Sequence, residues 1–81
     1  MVILSRHADN QLKERKISSK KVIEAVKNPT KVFLQSNNRY KAVKSMRRRN
    51  KKYLLVVIYD STNSVKEVVT AFITSKINKY L

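Results

Sequence analysis

The 81-residue sequence has no cysteine, no glycine, no tryptophan, one proline, one histidine and only five acidic residues. Without cysteine there is no disulfide framework and no thiolate metal site, and a single histidine among so few carboxylates gives a protein-only metal site no ligand set. The missing thiols also remove any support for an oxidising compartment. Without glycine there is no loop of the kind that cradles nucleotide phosphates. One histidine and two aspartates far apart in sequence do not make a serine-nucleophile triad, so proteolysis and nucleotide hydrolysis of these types drop out. No apolar run approaches the roughly 18–20 residues that span a bilayer, and the first residues show no apolar segment followed by a cleavage site. The expectation is a soluble, cytoplasmic protein with no cofactor, no metal and no membrane partner.

What is present is apolar pattern and positive charge. Hydrophobic residues make up 42% of the chain and recur in periodic segments, which is too much apolar surface for a disordered basic tail. A chain of this size hides roughly 60–65% of its unfolded surface, enough for a single domain (1–81) built as one core of two layers. Nineteen lysines and arginines give a formal charge of +14. The densest stretch is Arg39, Lys41, Lys44, Arg47, Arg48, Arg49, Lys51 and Lys52, eight cations in fourteen residues with no acid among them. Such a segment repels itself unless a polyanion is near. Nucleic acid is the first candidate, because each neutralised phosphate releases counterions and makes binding favourable and salt-dependent. The plainer alternative is a solvated charged hairpin that keeps a small protein soluble. An anionic membrane surface or an acidic protein would use the same field.

The order of elements follows from local pattern. After the short apolar start Val2 to Leu4, Ser5 is a good N-cap for a helix over Arg6 to Lys16, with a thin apolar stripe of Ala8 and Leu12. Ile17 anchors the join to a second helix of about nine residues, capped by Ser18 or Ser19, striped by Val22, Ile23 and Val26, and stopped by Asn28-Pro29. The pattern then turns to β. Val32 to Leu34 is a strand, the paired Asn37-Asn38 suits a tight turn, and Arg39 to Met46 alternates as a second strand. The basic run Arg47 to Lys52 separates it from Tyr53 to Tyr59, which is apolar on both faces and reads as the central strand. Asp60 to Ser64 is turn-rich and leads to Val65 to Ile73, where Val69, Ala71 and Ile73 alternate with Val68, Thr70 and Phe72. Thr74 to Leu81 is a short helix or a tail that folds back on the sheet. The expected class is α+β, two N-terminal helices packed on a four-stranded antiparallel sheet in the order ααββββ. The apolar central strand implies that the C-terminal segment or a partner covers the second face.

Several positions carry a resemblance: His7-Ala8, Glu14-Arg15, Ile17-Ser18, Val22, Ala25-Val26, Asn28-Pro29 and Val68-Val69-Thr70-Ala71-Phe72. With these residues the chain, from Ile3 to Lys79, resembles the small domains of the RelE/ParE-like toxin superfamily. The resemblance implies helices on an antiparallel sheet. It also implies a toxin of a toxin-antitoxin pair: an mRNA endoribonuclease, acting on free or ribosome-bound RNA, or a gyrase poison, neutralised by a small antitoxin. A C-terminal aromatic residue joins the active cleft in several such toxins, which singles out Tyr80 with Lys79.

Metal-free RNA cleavage needs a base for the 2′-hydroxyl, an acid for the leaving oxygen and cations for the charge that develops on phosphorus. His7 is the only side chain with an ordinary pKa near neutrality, and Arg15, two helical turns on, is placed to flank the same cleft. The expected catalytic residues are therefore His7 and Arg15, with Tyr80 added as the resemblance implies. The plainer readings are a His7 that caps or packs locally, an Arg15 paired with Asp9 or Glu24, and a Tyr80 that plugs the core. Among the other cations, Arg39, Lys41, Lys44, Arg47, Arg48, Arg49, Lys51, Lys52 and Lys79 suit phosphates better than bases, with Tyr40 as a stacking residue among them. Residues 39 to 52 can also act with no catalysis, as a nucleic-acid-binding module. The partners expected are RNA and, for a toxin, an acidic antitoxin. Self-association as a homodimer through the sheet edge competes with the antitoxin for the same apolar surface.

Overall fold

In the computed structural model, which describes residues 1–81, the chain opens with a three-residue strand, β1 (Val2–Leu4), and Ser5 then turns it into helix α1 (Arg6–Arg15). The Ser5 hydroxyl accepts the Ala8 N–H at 3.0 Å, removing one unpaired donor from the first turn. Asp9 in that turn and Lys13 and Arg15 in the last complement the helix dipole. The helix ends at Lys16, left-handed at φ 55°, whose N–H turns back to the Leu12 and Lys13 carbonyls. Helix α2 (Ser19–Lys27) follows and stops at Asn28, before Pro29.

Four strands complete the sheet: β2 (Lys31–Ser36), β3 (Arg39–Arg48), β4 (Lys51–Thr62) and β5 (Val65–Thr74), with a one-turn helix α3 (Ile77–Tyr80) after them. The sheet order is β1-β5-β4-β3-β2. Neighbours are antiparallel except β1, which lies parallel to β5 from the Val2/Lys66 pair to Leu4/Val68. This corrects the expected two helices on a four-stranded antiparallel sheet: the sheet has five strands and is mixed, and there are three short helices. The physical reason lies in β1. Three apolar residues are too few to show a period of two, and their partner is more than sixty residues away, so nothing local distinguishes them from a lead-in to the helix.

Tyr53 to Tyr59 lies in the central strand β4, as its two apolar faces require. Leu55, Val57 and Tyr59 face the helices, where Ala8, Leu12, Val22, Ala25 and Val26 pack onto them together with Ala42, Val68 and Ala71. Leu54 and Val56 face the other way and join Val43, under Phe33, Ile58, Phe72, Ile77 and Tyr80. The C-terminal segment thus supplies cover for the second face, with the Tyr80 ring edge-on to Phe72 at 5.8 Å. The alternation expected along Val65 to Ile73 is broken. Ile58 pairs with Thr70 but Tyr59 with Val68, a bulge at Val69 that puts Val68 in the helix-side core beside Ala71 and Ile73.

Six residues have positive φ, and because the chain has no glycine each carries a Cβ. At Asn37-Asn38 only Asn38 is left-handed, and the register slips between Leu34 and Ser36. At Arg49-Asn50 and Asn63-Ser64 both turn residues are left-handed, the signature of a type I′ hairpin turn. The basic run is therefore no separator. Arg47 and Arg48 continue β3, Lys51 and Lys52 begin β4, and only Arg49 and Asn50 form the turn. Arginine is an unusual residue for such a turn, which is why the sequence does not announce it.

Candidate functional site

The β3–β4 hairpin outruns its neighbours. Pairing of β4 with β5 ends at Leu54/Thr74, and pairing of β2 with β3 reaches only Lys31/Val43. Past it, the Ser45 N–H donates to the Thr30 hydroxyl at 2.9 Å. The pairs Met46/Tyr53, Arg47/Lys52 and Arg48/Lys51 then stand alone, closed by Arg49 and Asn50. This two-stranded arm, residues 46–53, carries Arg47, Arg48, Arg49, Lys51 and Lys52, all exposed, and no acid. None of the five makes an ion pair. The only ion pairs are Lys13–Asp9 and Arg39–Asp60.

Strand alternation places Met46, Arg48, Lys51 and Tyr53 on the helix side of the ribbon and Arg47 and Lys52 on the other. On the helix side, a hollow of about 540 Å³ is lined by Arg48, Arg49, Lys51 and Tyr53. At the base of the arm a second, of about 450 Å³, runs between α2 and the edge of β3, where Lys44 to Arg47, residues of both strand faces, line it together with Lys20, Lys21 and Glu24. The two share the arm, and together they form one cationic surface with Glu24 as its single acid.

Lys20 and Lys21 are functional candidates that the sequence reading missed. A signal existed: they occupy the first turn of α2, where no acid is present and where the positive end of the helix disfavours them.

The other sequence candidates lie elsewhere or are engaged. Arg39 is at the far end of β3, seven residues or roughly 24 Å from the start of the arm. It holds Asp60 by two hydrogen bonds of 2.7 and 3.0 Å. The hydrogen bonding, reinforced by opposite charge, raises the Arg39 guanidinium above its usual value. Hydrogen bonds from Arg39 hold Asp60 below the usual carboxylate range, against an opposing effect of burial. Lys41 lies over the rings of Phe33 and Tyr80, 4.9 and 5.2 Å from their centroids, and Lys79 lies 5.6 Å over Tyr80. Lys44 donates to the Asn28 carbonyl at 2.8 Å, at the negative end of α2. Tyr40 stacks on the buried Tyr59 at 5.6 Å, so its ring is in use inside the protein. Burial, and then Tyr40, raises the Tyr59 phenol above its ordinary value.

The three expected catalytic residues are not brought together. His7 is exposed on α1. Arg15, on the same helix, donates to the Ala71 carbonyl at 2.6 Å, tying the end of α1 to β5. Tyr80 packs on the opposite face of the sheet. The sheet stands between Tyr80 and the other two.

A family model described as a domain of unknown function, DUF4258, matches residues 4–73, and the chain belongs to that family. The match takes in the arm and the α2 groove and stops short of α3, so Lys79 and Tyr80 lie outside it. No curated protein and no solved structure matches the chain.

Proposed function

We propose that this DUF4258 protein is a nucleic-acid-binding module that grips phosphates with the β3–β4 arm. The observation that supports this is the arm itself: five exposed cations in eight residues, with no carboxylate partner, on a ribbon that projects beyond its neighbouring strands. Folding gains nothing from that concentration of like charge, whereas binding a polyanion gains counterion release at every phosphate neutralised. The structural cations are elsewhere: Arg39 serves Asp60 and Lys44 serves Asn28. Cleavage of RNA, which the toxin resemblance implies, has weaker support, since His7, Arg15 and Tyr80 share no cleft. Fluorescence anisotropy with labelled DNA and RNA oligonucleotides at low salt is the test. The reading requires binding that is lost when Arg47, Arg48, Arg49, Lys51 and Lys52 are all changed to Ser. No binding, or equal binding by the variant, overturns it.

A second reading concerns the β2 edge of the sheet. Strand β2 has one free side and exposes Val32 and Leu34, the latter 68% accessible. An unpaired edge of this kind accepts a strand from a partner, and the surrounding positive charge favours an acidic one, as the antitoxin of the toxin reading would be. A second copy brings like charge to the same edge. Light scattering separates the two: the acidic-partner reading expects a monomer, and a stable dimer that Leu34→Lys dissolves overturns it.

A further inference from the structure

We infer that the arm enters the major groove of duplex DNA, an inference that rests on the nucleic-acid reading above and names its substrate. The argument begins with the two faces of the ribbon. Arg48 and Lys51 form a cross-strand pair on the helix side, Arg47 and Lys52 form the adjacent pair on the other side, and Arg49 sits at the tip. A ribbon laid along a single strand, or flat on an anionic surface, has phosphates on one side only, and the cations of its other face stay in water. Cations on both faces and at the tip match a slot with an anionic wall on each side. The paired backbones of a duplex are such a slot.

Dimensions then choose the slot. Three cross-strand pairs and a turn extend on the order of 10 Å beyond the end of β5, at about 3.4 Å per residue. The B-form major groove is about 12 Å wide and 8.5 Å deep and admits a two-stranded ribbon. The minor groove, about 6 Å wide, does not admit a ribbon with long side chains on both faces. In A-form RNA the major groove is deep and narrow, and it does not admit a ribbon with long side chains on both faces. Lys20 and Lys21, at the base of the arm on the helix side, fall where the protein body meets one phosphate wall. The contacts of this surface are with phosphates, which position the protein without reading sequence.

Anisotropy titrations at one salt concentration test this, with three probes of a single mixed sequence: a short DNA duplex, one of its strands alone, and the corresponding RNA duplex. The DNA duplex binds on the order of ten-fold tighter than either of the others. The double variants Arg47→Ser/Lys52→Ser and Arg48→Ser/Lys51→Ser each weaken duplex binding by a similar factor, since each removes two phosphate contacts. Netropsin, which fills the minor groove, does not displace the protein. Circular dichroism melts confirm that both variants fold. Equal or tighter binding of the single strand or of the RNA duplex overturns the groove assignment and leaves nucleic-acid binding standing. Loss of affinity from only one of the two pairs, or displacement by netropsin, also overturns it. No binding to any of the three probes removes the nucleic-acid reading as well.

Discussion

Arg48 and Lys51 face each other directly across the last pair of the β3–β4 hairpin, with no carboxylate in ion-pair reach of either. The pair next to it, Arg47 and Lys52, repeats the arrangement. Like charges directly opposite in an antiparallel ladder oppose the pairing, by roughly 0.2–1 kcal/mol each. The protein therefore carries at its tip an instability that its own fold does not relieve and that a polyanion would.

Removing that repulsion separates stability from function. Arg48→Thr/Lys51→Thr replaces two cations with good strand residues, and the melting temperature of the free protein rises at low salt by up to about 5 °C. Added salt screens the repulsion in the wild type and narrows the difference. The same variant binds nucleic acid more weakly. Thermal melts across a salt series, beside binding titrations, check both signs.

The turn offers a second comparison. Arg49 and Ser64 hold left-handed backbone at φ 51° and 68°, a conformation that costs a residue with a Cβ roughly 1–2 kcal/mol relative to glycine. Arg49→Gly and Ser64→Gly each stabilise the protein by about 0.5–1 kcal/mol in urea unfolding. Only Arg49→Gly weakens nucleic-acid binding, because Ser64 closes the hairpin between β4 and β5, at the other end of β4 from the arm.

The Arg39–Asp60 pair gives a pH dependence of definite sign. Asp60 ionises more readily in the folded protein than in the unfolded chain. Its contribution is therefore present in full above the ordinary carboxylate pKa of about 4 and is lost as pH falls through the lower folded value. Asp60→Asn melts below wild type at pH 7, and the difference shrinks as pH is lowered past about 4. A gap that widens in acid would contradict the assignment.

His7 is exposed and its side chain makes no hydrogen bond. His7→Ala leaves the melting temperature within about 1 °C of wild type and leaves nucleic-acid binding unchanged. Incubation of the protein with RNA, with and without ribosomes, gives no cleavage that His7→Ala abolishes. Cleavage lost in that variant would restore the endonuclease reading.

Much of the fold was legible because its signals are local. Ser5 before an unbroken helical stretch, Asn28-Pro29 after the Val22–Val26 stripe, and the doubly apolar Leu54 to Val57 each specify their element within a few residues. What escaped depends on distant or compensating partners. Val2–Leu4 becomes a strand only through β5, and the Val68/Ala71 face exists only because Val69 is bulged out of register. At the site, the charge of residues 47–52 was visible in the sequence. Its presentation on a projecting ribbon was not, because Arg49 occupies a turn position that usually announces itself with glycine, asparagine or aspartate. Lys20 and Lys21 joined the same surface only when α2 packed beside β3.

The slope of log binding constant against log salt concentration, measured for the wild type and for the variant with all five arm cations changed to Ser, tests the central claim most directly. Each phosphate neutralised contributes about −0.9 to the slope on duplex DNA, so five arm contacts make the wild-type slope steeper than the variant's by about 4 to 5 units. Equal slopes, or a wild-type affinity insensitive to salt, would show that the arm does not hold phosphates.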